Sequence, residues 1–206
     1  MNRRKFCLSS LATAISGAAV GAGCLPAGEP GALPAAASYP SVQLYKFVYD
    51  HRYPAARAFG IAAKRIRSTA GTVAIAGDVT ALWSRDLRAV WCAGDGAIAG
   101  MTTARSLLCL EQLAHDQWMR VAIRVEHLSP EGHEVAHRVS AAQPMLARMR
   151  PALAGADWAA KLPAALATCE DLYGACLTAV IGSMRPSLRA EETLVSFVIA
   201  ARGGIA

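Results

Sequence analysis

The densest run of chemistry-bearing residues is His133-Glu134-Val135-Ala136-His137. Two histidines four apart on one helix face can hold a zinc ion, and a glutamate between them can take a proton from bound water. That chemistry needs a helix, and the flanking residues predict something else. Ser129-Pro130-Glu131-Gly132 is a turn signal. Val121, Ile123 and Val125 before it, and Val135, His137 and Val139 after it, alternate as strand residues do. In a strand the two imidazoles would stand about 13 Å apart, too far for one ion, with Glu134 on the other side. The spacing predicts an antiparallel β-hairpin at 121–139.

A second constellation depends on topology. In open α/β sheets, ligands bind beyond the carboxyl ends of the strands. Three such ends are polar: Asp50-His51-Arg52, Gly77-Asp78 and Gly100-Met101-Thr102-Thr103. Backbone N–H groups and hydroxyls at a helix start suit an anion, and Asp78 could accept from a ligand hydroxyl. Asp50, Arg52, Asp78, Thr102 and Thr103 are therefore the candidate ligand-binding residues. Each also has a structural use, as a helix cap or as a loop ion pair.

These candidates require elements to position them. Val42–Tyr49 is rich in β-branched and aromatic residues and predicts a strand. Pro54 opens a helix whose apolar residues recur to Ile66. Thr72–Ala76 predicts a second strand, and Val79–Val90 a second helix. Ala97-Ile98-Ala99 predicts a third strand, with a long helix opening at Gly100-Met101-Thr102-Thr103. Residues 144–183 are rich in Ala, Leu and Met and predict helices broken near Pro151, Pro163 and Gly174. Leu194–Ala200 closes the chain as a strand. Strands alternating with helices over 42–128 indicate βαβ units. The expected fold is α/β: a three-layer sandwich with a mostly parallel sheet, Rossmann-like or flavodoxin-like, with antiparallel additions at its edges.

Composition bounds the classes. Of 206 residues, 54% are hydrophobic and 17% charged, which excludes a disordered polymer. No basic run interleaved with aromatics is present, so no nucleic acid is expected as a partner. The Gly-rich turn of a dinucleotide site is missing after the first strand, where Tyr49-Asp50-His51-Arg52 stands. There is no G-x-S-x-G elbow. Residues 38–206 hold Cys92, Cys109, Cys169 and Cys176, with no C-x-x-C pair. Buried free thiols are the expectation. On one helix Cys169 and Cys176 would lie about 10 Å apart along the axis, too far to bridge.

The first 37 residues read as a leader and spacer, and 38–206 as a single α/β domain. Arg3-Arg4-Lys5-Phe6-Cys7-Leu8 precedes an uncharged stretch from Cys7 to Gly28 rich in Ala, Gly and Ser. This run resembles the bacterial twin-arginine (Tat) signal family, with Asn2 and Cys7 departing from the usual residues. The resemblance implies export of an already folded protein, often one that carries a cofactor; this sequence does not name one. Ala35-Ala36-Ala37 is an A-x-A cleavage pattern. Cleavage there removes Arg3, Arg4, Lys5 and Glu29 and takes the net charge from +6 to +4. Gly21-Ala22-Gly23-Cys24 is a poor lipobox. A lipid on Cys24 would make the protein a membrane-anchored lipoprotein; otherwise it is periplasmic or exported.

Residues 133–137 resemble the zincin metalloprotease family. That resemblance implies His133 and His137 as zinc ligands and Glu134 as base, with Glu170 or Glu191 as a third ligand. Ser140 stands where the extended pattern has Gly. Two functions follow from the residues. The first is a non-catalytic binding or accessory subunit for a periplasmic redox system, partnered by a redox enzyme or another exported protein. The second is a small zinc metallohydrolase. The missing catalytic set favours the first.

Overall fold

The structure, a computed structural model, describes residues 42–66, 70–128, 135–167, 172, 174–182 and 193–202. The leader, the cleavage pattern, Cys24, His133, Glu134, Cys169, Glu170 and Glu191 lie outside the described residues.

In chain order the elements are β1 (Leu44–Asp50), α1 (Pro54–Ala63), β2 (Gly71–Ile75), α2 (Thr80–Leu82), a π-helical turn (Trp83–Leu87) and α3 (Arg88–Cys92). There follow β3 (Ala97–Thr103), α4 (Ala104–His115), β4 (Met119–Leu128), β5 (Ala136–Ala142), α5 (Gln143–Leu153), α6 (Trp158–Ala167), β6 (Cys176–Ile181) and β7 (Leu194–Ala201). The fold is α/β, with one seven-stranded mixed sheet in the order β2-β1-β3-β7-β4-β5-β6.

The expected mostly parallel sheet is corrected by this pairing. β1 runs parallel to β2 and β3, but β3–β7, β7–β4, β4–β5 and β5–β6 are antiparallel. That is neither a Rossmann-like nor a flavodoxin-like order. Two causes are visible. β5 pairs antiparallel with β4, as the spacing predicted, setting His127 opposite His137. β7 then enters between β3 and β4 rather than at an edge. Its run Val195–Ala200 is buried at every position, which suits a strand covered on both faces.

Helices cover both faces. Phe47, Ala99, Met101, Ile123, Val125, Val139 and Val198 pack against Phe59 of α1, Met145 and Met149 of α5, and Trp158, Leu162 and Leu166 of α6. On the other face Val48, Ile98, Phe197 and Ile199 pack against Leu82, Leu87, Trp91, Leu107 and Leu110. Neighbouring residues 47/48, 98/99 and 197/198 fall on opposite faces, as strand alternation requires.

Three local expectations are also corrected. β3 runs through Gly100 to Thr103, and α4 begins only at Ala104. Gly100 serves close packing: a Cβ there would sit 2.6 Å from both the Phe197 ring and the Val48 carbonyl oxygen. Cys176–Ile181 is an edge strand, not a helix. α6 continues through Pro163, and α5 reaches Leu153, beyond Pro151.

Candidate functional site

The structure sets the strand-end candidates at one end of the sheet and engages each of them in local bonds. Asp50 ends β1 with its side chain fully buried. Arg52 meets it with both arms of the guanidinium: Nε donates to Oδ1 at 2.9 Å and Nη2 to Oδ2 at 2.7 Å. The Arg52 amide adds a bond to Oδ1 at 3.2 Å. Such a bidentate pair fixes orientation as well as charge. The guanidinium also lies over Gly77, where any Cβ would collide with it, and Gly77 takes the left-handed φ of +86°. Ser106, in the first turn of α4, donates to the Gly77 carbonyl at 2.7 Å.

The remaining candidates cap or brace. Thr103 caps α4, its hydroxyl accepting from the Ser106 amide at 3.3 Å. Thr102 is buried and donates to the Thr103 carbonyl at 3.2 Å. Asp78 is exposed and accepts from the Thr80 amide at 2.8 Å; that bond lowers its pKa. Asp50, Arg52, Asp78, Thr102 and Thr103 thus spend their polar groups on local bonds, and Ser106 ties the start of α4 to the segment after β2.

The zincin-like run is only partly placed. His137 lies on strand β5, so the helix that ligation at i and i+4 needs is replaced by strand from Ala136 onward. His137 is instead buried against a residue that sequence reasoning missed. His127 Nδ1 and His137 Nδ1 stand 2.8 Å apart, and His127 Nε2 is 2.7 Å from the Ser196 hydroxyl. All three side chains are buried. Trp158 stacks on His127 with ring centroids 4.2 Å apart and meets His137 edge-on at 4.9 Å. Burial, with the neighbouring imidazole second, holds His127 well below its ordinary pKa. Burial also lowers His137 to about 4, against a bond to the Leu153 backbone that favours the protonated ring. Alternation supplied one signal for this pair, since 123, 125 and 127 share a face, as do 135, 137 and 139; the register that sets 127 opposite 137 came only with the sheet. Ser196, 69 residues from His127, left no such signal.

A second unpredicted feature lies at the opposite end of the sheet. Trp118, in the α4–β4 turn, has φ of +58° and is 77% exposed. Left-handed backbone is rare and costly for a bulky residue. Two backbone bonds hold it there: Trp118 N–H donates to His115 O at 3.3 Å, and Arg202 N–H donates to Trp118 O at 3.0 Å. Beside it is a shallow cleft of about 400 Å³, lined by residues of α4 (Glu111, Gln112, His115) and β4 (Met119, Arg120, Val121) and by Arg202. Arg120 is anchored by a bond to the Leu172 carbonyl at 3.1 Å, and Glu111 by Arg124 at 2.9 Å.

Among the described residues no three His, Cys, Asp or Glu side chains come together as a metal-binding group. Cys92, Cys109 and Cys176 are free and exposed, against the expectation of buried thiols. No protein-family model, curated protein or solved structure matches the chain.

Proposed function

We propose that the chain is an exported, non-catalytic binding or accessory protein of a periplasmic redox system, and that it recognises its partner through the α4–β4 turn. The leader's resemblance supports the compartment and the redox context. The observation that carries the binding role is Trp118. A large aromatic side chain exposed to water, on a strained backbone fixed by two hydrogen bonds, has the properties of a binding anchor. It offers much contact area at little entropic cost, and strain of this kind collects at functional positions. Arg120 and Arg202 beside it favour a partner surface that carries carboxylates.

The test is native mass spectrometry of the protein purified from its exported compartment, as wild type and as Trp118→Ala. A heavier complex with a second polypeptide, lost in Trp118→Ala, supports the reading. A stoichiometric zinc ion or organic cofactor on an otherwise bare chain overturns it in favour of an enzyme.

A further inference from the structure

The outward face of α4 carries its charges the wrong way round for its own helix. Its exposed residues are Arg105, Leu108, Cys109, Gln112, His115 and Asp116, while Ser106, Leu107, Leu110 and Ala114 are buried. At about 100° per residue, Arg105, Leu108, Cys109, Gln112 and Asp116 fall in one stripe, and the step from Arg105 to Asp116 is about three turns. Asp116 is the C-cap and keeps helical backbone angles, φ −65° and ψ −19°, so it stays in phase with the stripe. A helix has the positive end of its dipole at the N-terminus and the negative end at the C-terminus. Arg105 stands in the first turn and Asp116 at the far end, so each charge is repelled by the end it sits on. The first turn holds no acidic residue to offset Arg105. Among the described residues neither side chain has an ion pair. Between them Leu108 is 55% exposed.

We propose that this stripe is a homodimer interface, in which α4 packs antiparallel on α4 of a second copy of the chain. Arg105 then faces the second copy's Asp116, and Asp116 faces the second copy's Arg105, so two ion pairs form about one twofold axis. Each charge also meets the dipole end that attracts it. Arg105 lies at the C-terminal end of the second helix, and Asp116 at its N-terminal end. The contact is isologous, one self-complementary patch used by both chains. A parallel pairing would set Arg105 on Arg105 and Asp116 on Asp116, so the same charges that attract the second copy also fix its direction.

The twofold axis crosses α4 midway along the stripe. It brings Leu108 and Cys109 of each chain to Gln112 of the other, and so takes the exposed leucine out of water. An unrelated partner would need a matching minus-to-plus order at the same spacing. A second copy supplies that order by symmetry alone.

The test is sedimentation velocity at low salt of the protein purified from its exported compartment. It is run on wild type, Arg105→Asp, Asp116→Arg and an equimolar mixture of the two variants. The wild type is expected to sediment as a dimer. Each reversal turns two attractions into two repulsions, and the dimer Kd is expected to rise about 100-fold. Both variants should melt no lower than wild type, because each puts at its own helix end the charge that the dipole favours. The mixture is expected to restore the dimer, since one chain then presents two acids on the stripe and the other two bases. A wild type that is monomeric at about 100 μM overturns the proposal. A dimer that survives both reversals, or variants that stay apart when mixed, also overturns it. The homodimer has twice the mass of one chain, whereas the complex proposed at Trp118 joins two different masses, so the two readings fail separately.

Discussion

His127 and His137 face each other Nδ1 to Nδ1 at 2.8 Å across the β4–β5 ladder, a separation that holds one proton and not two. Stability should therefore depend on pH. Both rings are neutral in the fold and bind protons more readily once unfolded, so the unfolded state holds more protons below the ordinary histidine pKa. The contribution is fully present above pH of about 6.5 and is lost as pH falls toward about 4, the folded value for His137. From pH 7 to pH 5, His137 alone should cost about 2 kcal/mol in urea denaturation. His137→Gln should flatten the slope. An unchanged slope would place the pH dependence elsewhere.

Ser196 Oγ and His127 Nε2 share a buried hydrogen bond at 2.7 Å. Ser196→Ala leaves His127 Nε2 buried without a hydrogen-bond partner, and the expected loss is about 1–3 kcal/mol. Ser196→Thr keeps the hydroxyl and should recover part of it, unless the added methyl strains the β7 face. Thermal or urea melts of the pair separate the hydroxyl from the packing. Equal stability of Ser196→Ala and wild type would show that the bond contributes nothing net.

Arg52 is half-exposed, yet its partner Asp50 is fully buried. Removing the arginine strands a carboxylate in the sheet end, so Arg52→Ala should cost about 3 kcal/mol. An ordinary surface ion pair would cost less than about 1 kcal/mol. Arg52→Lys should not rescue, because an ammonium cannot span both carboxylate oxygens as the guanidinium does. A loss below 1 kcal/mol would mean that water replaces the guanidinium.

Much of this arrangement was readable in local sequence, and the rest was not, for a physical reason. The hairpin was legible because its turn residues and its period-two pattern lie within twenty positions of each other. The convergence of Asp50, Arg52, Gly77 and Thr103 was legible because β1, β2 and β3 are joined by short crossovers. The place of β7 was not: the residues that separate β3 from β4 arrive at the chain's end, and only a packed sheet decides that they enter there. Cys176–Ile181 is a short apolar run whose periodicity fits strand and helix alike. Ser196 in β7 looks like an ordinary small residue until β4 is laid beside it.

Trp118 separates stability from binding most sharply. Its backbone is left-handed and its side chain is 77% exposed, so replacing it removes strain and little buried area. Trp118→Gly should therefore be at least as stable as wild type, with a gain of up to about 1 kcal/mol. The relief of left-handed backbone exceeds the extra freedom of glycine in the unfolded chain. The same variant should lose the partner complex. Trp118→Ala should also lose it, but without the gain in stability, because alanine keeps the Cβ that the backbone disfavours. A Trp118→Gly protein that is clearly less stable would mean that the indole packs on the fold. A stable one that still binds would move the recognition surface away from the α4–β4 turn.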